Sequence, residues 1–213
     1  MRKRDPGYYE ARRDDLIECV PESAQRILEV GCGTAETGRA IKARCKGPVE
    51  VTGVEVKPEI AEKARANIDK VFAGDAGILD LKVRKKYFDC IIYGDVLEHL
   101  MDPWNMLARH RELLKDDGCI VASIPNVSHY RVIKMLLSGQ WDYAHRGILD
   151  RSHVRFFTLK SIKAMFSGAD LDIVKTKRKL SGSKVKKALN KILFGAIKEY
   201  ITEQYIVVAR KRA

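Results

Sequence analysis

The sequence has few cysteines, and their spacing indicates neither a disulfide framework nor a structural zinc site. The 213 residues include five cysteines, an odd number, and no two of them have CxxC spacing. A small disulfide-stabilised scaffold and a zinc ribbon are therefore excluded as interpretations, and we predict no metal site. Cys90 and Cys119 lie in apolar, strand-like runs, where we expect buried and unreactive thiols.

Long apolar runs are also missing. No stretch is long enough, and free enough of charge, to cross a bilayer as a helix. The basic residues at positions 2–4 are not followed by the apolar run of a secretory signal, so we expect a cytoplasmic protein. Hydrophobic residues make up 46% and charged residues 32% of the chain, a balance that predicts one soluble α/β domain spanning residues 1–213.

Acidic residues are scarce near the C-terminus. The net charge is +12, and residues 175–213 hold twelve Lys or Arg against Glu199 and Glu203, which places +10 in that segment. Residues 183–201 put their apolar side chains on one helical stripe, so we predict a basic amphipathic helix at 180–202, before the last strand. Its basic face is either simply solvated or in peripheral contact with anionic lipid at the inner membrane face. No recognised motif for nucleic acid accompanies the charge, so we do not expect RNA or DNA as a partner.

Apolar strand patterns alternate with helical patterns along the rest of the chain. This alternation predicts a mostly parallel sheet with helices on both faces. We predict a helical lead-in over residues 1–25 and a lid on the acceptor side over residues 126–158. The predicted strands are 26–30, 49–55, 71–73, 88–93, 119–124, 171–176 and 204–209, and the predicted helices are 8–20, 36–45, 58–69, 103–115 and 159–168.

A glycine-rich turn joins the first strand to the first long helix. Gly31, Cys32 and Gly33 lie where the chain must turn tightly and where a ligand can approach the backbone. Glu29 would repel a pyrophosphate but attract a cationic amino group. Glu36 occupies the third glycine position of a dinucleotide fingerprint, which disfavours a nicotinamide or flavin. An ordinary structural turn is the alternative interpretation.

Two later strand ends also carry carboxylates. Glu55, followed by Val56, ends the second strand 22 residues after Gly33, where a carboxylate can accept hydrogen bonds from both hydroxyls of a ribose. Asp75 follows the third strand and could accept from an adenine amine, while the N–H of Ala76 meets a ring nitrogen. A turn cap explains Asp75 equally well.

The order and spacing of these segments resemble class I S-adenosylmethionine (SAM) dependent methyltransferases. The matching segments are 29–33, 54–55, 74–76, 88–92 and 97–100. The resemblance implies a three-layer α/β sandwich whose seven-stranded, mostly parallel sheet ends in an antiparallel strand. It also implies SAM as the cofactor, with Asp95 facing the transferred methyl. Ala35 departs from the pattern, since many relatives have a third glycine there.

The acceptor side is less defined. The segment Leu97-Glu98-His99 is similar to ubiquinone-type and sugar O-methyltransferases, and residues 139–158 resemble bacterial methyltransferases of surface-polysaccharide synthesis. This implies methylation of a hydroxyl on a small-molecule or glycan acceptor. The alternatives are a lipid-soluble phenol or quinone, RNA or protein, and a SAM-binding scaffold without activity. The Asn/Asp-Pro-Pro-aromatic motif of many amino-methyltransferases is missing after strand four.

A hydroxyl acceptor must lose a proton, so a nearby histidine is useful as a general base. His153, in the cluster Asp150-x-x-His153-x-Arg155, is the first candidate. His99 is the second, although it could instead hold the loop after strand four. Arginines in the lid could bind an anionic acceptor group, and aromatic residues there could stack on a ring or simply pack the lid. These substrate-binding candidates are Arg146, Arg151, Arg155, Trp141 and Tyr143.

Overall fold

The structure is a computed structural model that describes residue 7 and residues 9–181 and 197–212. The strands in these ranges are Arg26–Val30 (β1), Glu50–Glu55 (β2), Lys70–Ala73 (β3), Phe88–Gly94 (β4), Leu114–Pro125 (β5), Leu171–Leu180 (β6) and Thr202–Lys211 (β7). The α-helices are Asp14–Ile17 (α1), Glu36–Arg44 (α2), Pro58–Ala64 (α3), Pro103–Leu113 (α4), Tyr130–Leu137 (α5) and Leu159–Gly168 (α6), and Leu97–His99 form a 3-10 turn.

The strands form one seven-stranded sheet in the order β3-β2-β1-β4-β5-β7-β6. The pairs among β1 to β5 are parallel, whereas β7 is antiparallel to both β5 and β6. The N-terminal end of β7 consequently lies at the same edge as the carboxyl ends of β4 and β5. This arrangement confirms the predicted fold, including its antiparallel last strand.

Both faces of the sheet are buried, which makes the domain a three-layer sandwich. Successive residues of β1 enter different apolar clusters: Leu28 belongs to the cluster that contains Tyr93 and Phe166, and Ile27 belongs to the cluster on the opposite face, which contains Ile92. This alternation follows from the two-residue period of a strand. Helices cover both clusters, as the near-continuous apolar strands predict.

The structure corrects several predicted boundaries. The helix predicted at 8–20 is limited to Asp14–Ile17, because the preceding chain bonds to the glycine-rich turn: the carbonyl of Tyr9 accepts from the N–H of Thr34 at 2.9 Å. Helix α5, inside the predicted lid, was not predicted. The strand predicted at 171–176 continues to Leu180, since β7 supplies partners along that length.

The predicted basic helix at 180–202 also needs correction at its ends. Leu180 belongs to β6 and Thr202 to β7, and residues 197–201 form turns. The intervening residues 182–196, with most of the proposed stripe at 183–201, lie outside the described residues. Among the described helices, none has the length and apolar character needed to cross a membrane.

One buried polar pair links the sheet to its helical layer. The hydroxyl of Tyr93 on β4 lies 2.7 Å from Nδ1 of His110 on α4, and both side chains are buried. Burial and the neighbouring Arg109 cation lower the pKa of His110 to about 4. His110 is therefore neutral in the folded protein near neutral pH, which suits an interior position with one hydrogen bond.

The His110 pair predicts a pH dependence of stability. An unfolded histidine has a pKa near 6.5, so the unfolded chain takes up a proton first as the pH falls. The stabilising contribution is complete above about pH 6.5 and is lost as the pH falls towards 4, amounting to about 3 kcal/mol. We expect His110→Gln to flatten the pH dependence of the urea unfolding free energy in this window, while His145→Gln in the exposed part of the lid leaves it unchanged. Parallel curves for the wild type and His110→Gln would contradict this assignment.

Candidate cofactor and acceptor site

The glycine-rich turn lies at the carboxyl end of β1 and is fixed to β2. Gly31 and Gly33 have φ values of +70° and +55°, in the left-handed region that favours glycine. The N–H groups of Gly31 and Cys32 both donate to the carbonyl of Val54, at 2.8 and 3.0 Å. A Cβ on Gly31 would lie 2.6 Å from Val96 Cγ2. The predicted cofactor residues of this turn are thus held in a conformation that side chains would disturb.

Glu55 joins the turn to the end of β2. Its side chain is buried, and its two oxygens accept from the N–H groups of Gly33 at 3.0 Å and of Lys57 at 3.1 Å. A carboxylate fixed beside the turn fits the role predicted for it at a ribose. The neighbouring Val56 side chain is exposed at the same strand end.

The side chains of Glu29 and Cys32 are buried beneath the turn. The Glu29 carboxylate is buried under the first turn of α2, where it accepts from the backbone of Gly38, and burial raises its pKa to about 8. One of its oxygens has no hydrogen-bond partner among the described residues. The Cys32 thiol is also buried, which raises its pKa. Contact between Glu29 and the cofactor amino group stays a prediction.

The turn after β3 is held from two sides. Asp75 is exposed, and its Oδ1 accepts from the N–H of Gly77 at 2.7 Å. This is the geometry of a turn cap, the alternative interpretation of Asp75 in the sequence analysis. Arg109 on α4 donates to the carbonyls of Gly77 at 2.5 Å and Leu79 at 3.1 Å. Ala76 lies inside this supported turn. Arg109 was not predicted, because nothing local in α4 indicates that it reaches residues 77–79.

Asp95 is the centre of a polar cluster at the carboxyl ends of β4 and β5. Its backbone has a φ of +58°. Its carboxylate accepts from Arg13, from Gln204 and from Ser123 Oγ, the last at 2.5 Å. Arg13 also forms a bidentate pair with Asp15, at 2.9 and 3.0 Å. Ser123 and Gln204 lie at strand ends on the edge where open α/β sheets bind ligands, so that rule could have identified them. No local sequence signal pointed to Arg13.

A second polar group surrounds the 3-10 turn after β4. Glu98 is only 1% exposed, and neither of its carboxylate oxygens has a hydrogen-bond partner among the described residues. Burial raises its pKa, and the nearby Asp95 charge acts in the same direction. Glu98 Oε1 lies 3.9 Å from His153 Nε2, and the rings of His99 and His153 are 4.7 Å apart. Glu98 occurs in the sequence motif but was not predicted as a site residue.

The same three side chains offer donor atoms of the kind that bind divalent metals. One ligand atom each from Glu98, His99 and His153 lies within 4.8 Å of the others. Imidazole nitrogen with a carboxylate suits several first-row ions. We predicted no metal site from the sequence, since the cysteine and histidine spacing gave no such signal. The grouping arises from the fold, which brings His153 to the turn at residues 97–99.

His153 has a fixed orientation. Its side chain is buried, and its Nδ1 lies 2.9 Å from the carbonyl of Ile148, so Nε2 is the nitrogen directed towards Glu98. The ring of His99 is tied in turn, with its Nδ1 3.0 Å from the carbonyl of Ser152. The structure thus brings together both histidines predicted as catalytic candidates.

The predicted acceptor residues separate into two groups. Tyr143, Arg151 and His153 line an open pocket of about 370 Å³. Arg155 instead lies 5.7 Å from the ring of Trp104 and donates to the carbonyl of Met101, so it holds the lid onto the region between β4 and α4.

The other two candidates lie in the same lid. Trp141 packs against Tyr143 and Phe156, with ring centroids 6.4 and 5.4 Å away. These aromatic residues therefore pack against one another within the lid, as the alternative interpretation of the sequence expected. Arg146 is exposed and is not among the residues lining the pocket.

Comparisons with known proteins agree with this architecture. The ubiquinone biosynthesis O-methyltransferase of Cereibacter sphaeroides is 26% identical over 169 residues, which are 76% of this chain and 66% of that protein. This chain therefore spans slightly less than two thirds of that relative. A SAM-dependent methyltransferase from Archaeoglobus fulgidus superposes with a TM-score of 0.66 at 18% identity, covering 89% of this chain and 87% of that one.

The fold is not confined to methyl transfer. A structure described as the [4+2]-cyclase SpnF superposes with a TM-score of 0.65 at 14% identity, over 94% of this chain and 79% of that one. Family membership therefore depends on the sequence match rather than on the fold alone. The family model described as a methyltransferase domain matches residues 1–176. The chain belongs to this methyltransferase-domain family, and SAM, which fits the glycine turn and the Glu55 carboxylate, is its cofactor.

Proposed function

We propose that the protein transfers the methyl group of SAM to a hydroxyl of a small-molecule or glycan-type acceptor. The observation that carries this proposal is the position of His153. Its ring is oriented by the Ile148 carbonyl, and it lines a pocket beside the carboxyl end of β4. Ligands of open α/β sheets bind at that edge.

The cofactor side follows from the glycine turn and its carboxylates. We assign the ribose hydroxyls to Glu55 and the backbone approach to Gly31, Cys32 and Gly33. Asp75 and Ala76 are assigned to the adenine. Bound SAM supplies a methyl group on a positively charged sulfur, and Asp95 is the carboxylate at the strand end that would face it.

The acceptor side requires alignment and proton removal. His153 would take the hydroxyl proton of the acceptor and later release it to solvent. Bound SAM would supply the methyl group to the acceptor oxygen, with its sulfur departing as the neutral thioether. Holding the two reactants in line contributes several kcal/mol, and general-base help contributes roughly 10²–10⁴-fold.

A lipid-soluble phenol or quinone is the second candidate acceptor. It is favoured by the relatives, which are ubiquinone biosynthesis O-methyltransferases, and by the aromatic rings of Trp141, Tyr143 and Phe156 near the pocket. A panel of nucleotide-linked sugars and simple catechols, assayed for S-adenosylhomocysteine release, separates the two classes. SAM binding without turnover on either class would favour a scaffold role.

The glycine turn gives a prediction for cofactor binding. A Cβ on Gly33 would lie 2.4 Å from the carbonyl oxygen of Tyr9, so Gly33→Ala must displace the chain that crosses the turn. We expect at least about a tenfold loss of SAM affinity by calorimetric titration, since 1.4 kcal/mol corresponds to a factor of ten. Gly47→Ala is the matched control, because Gly47 also has a positive φ, +89°, but has no atom within 4 Å of such a Cβ. Equal affinities for the two variants would remove the turn from the cofactor site.

His153 gives a prediction for catalysis. We expect His153→Gln to lower kcat roughly 10²–10⁴-fold on the acceptor found in the panel while SAM affinity is retained. His145→Gln is the control, since His145 is an exposed histidine of the same lid. The test combines steady-state kinetics with calorimetry of SAM. Undiminished turnover by His153→Gln would contradict the general-base role.

A further inference from the structure

Helix α5 exposes large apolar side chains beside the acceptor pocket. Leu136 is 54% exposed and Leu137 is 84% exposed at its C-terminal end, and Tyr143 in the following loop is also exposed. Val132, four residues before Leu136 and so on the same side of the helix, is buried. The helix is thus docked on the domain near its start and presents leucines to solvent at its C-terminal end.

Cations accompany these leucines. Arg131 and Lys134 are exposed on α5, and because Arg131, Lys134 and Leu137 follow one another at three-residue spacing, they share one helix face. Arg146 and Arg151 are exposed farther along the lid. Residues 126–158 contain five Lys or Arg against two Asp, and one of these acids, Asp150, is buried and accepts from the N–H and hydroxyl of Ser152.

Leucines flanked by exposed cations match the chemistry of an anionic membrane surface. Apolar side chains of an interfacial helix enter the boundary between headgroups and acyl chains, while Lys and Arg attract anionic lipid at about 1 kcal/mol each. A second copy of this chain would bring like charges together at the same face. A stable protein interface also buries about 800 Å² per partner, and two leucines with a tyrosine make a small apolar centre for that purpose.

We propose that the α5 surface, defined by Arg131, Lys134, Leu136 and Leu137, docks on anionic lipid membranes. The surface differs from the basic segment at 183–201, and its contribution can be measured separately. Because Tyr143, Arg151 and His153 line a pocket in the same lid, docking there would bring that pocket to the membrane boundary. This last consequence, delivery of a lipid-linked acceptor, rests on the proposed function, whereas docking itself does not.

The test is co-sedimentation of the full chain with vesicles of phosphatidylcholine alone or with about 30% phosphatidylglycerol. We expect binding only to the anionic vesicles and at least about a tenfold loss in Leu136→Glu/Leu137→Glu, since burying one leucine contributes about 1.5–3 kcal/mol. Ile78→Glu/Val174→Glu is the matched control. It makes the same charge change at apolar positions that are 82% and 59% exposed elsewhere, so a general loss of positive charge affects both variants alike.

The outcomes separate docking from catalysis. If both double variants bind the anionic vesicles equally, or if the wild type binds neither vesicle, the proposal is overturned; equal binding would assign any lipid contact to other residues such as 183–201. The milder variant Arg131→Gln/Lys134→Gln introduces no new charge and should weaken binding to the anionic vesicles. It keeps the test valid if Leu136→Glu/Leu137→Glu unfolds the chain. SAM affinity and turnover of a water-soluble acceptor should be unchanged in Leu136→Glu/Leu137→Glu and Arg131→Gln/Lys134→Gln, so a failed acceptor assignment leaves the vesicle result interpretable.

Discussion

The site depends on one carbonyl group. The backbone oxygen of Glu98 accepts from two successive N–H groups of the lid, those of Val154 at 2.9 Å and Arg155 at 3.1 Å. These bonds fix the lid against the 3-10 turn that follows β4. They place His153, the residue between the lid loop and this junction, 3.9 Å from the Glu98 carboxylate. The contacts of Arg155 with the Met101 carbonyl and of His99 with the Ser152 carbonyl hold the lid at the same junction.

The site also contains buried acids, and the free-energy cost of burying each carboxyl group is compensated differently. Glu55 has both oxygens satisfied by backbone N–H groups of the turn and of the segment after β2, so its burial leaves neither oxygen without a donor. Glu98 has neither oxygen satisfied within the described residues. An unpaired buried carboxylate is expensive, and protonation or a bound partner would relieve that cost.

The fold and the glycine-rich turn could be predicted because their signals are local. Each signal is a short stretch of sequence: strand β1, the glycines at 31 and 33, and the acids at the ends of β1 and β2. The carboxyl edge of the sheet brings such strand ends together. Arg13 and Arg109 could not be predicted with equal ease, since their partners lie 82 and 32 residues away. Helix α5 was missed because its eight residues fall in a segment identified only by its role as a lid.

Under the proposed function, the topology favours the lid over the sheet as the place where the acceptor is chosen. The antiparallel β7 brings Gln204 to the carboxyl edge, where Gln204, Ser123 and Arg13 donate to the Asp95 carboxylate. The carboxylate of Asp95 is therefore already engaged by the chain's own polar groups. The pocket wall, by contrast, is supplied by Tyr143, Arg151 and His153, all within the segment between β5 and α6. Under the proposed function, substitutions there would change the acceptor while the glycine turn and its supporting hydrogen bonds stay intact, which is how one fold can serve many reactions.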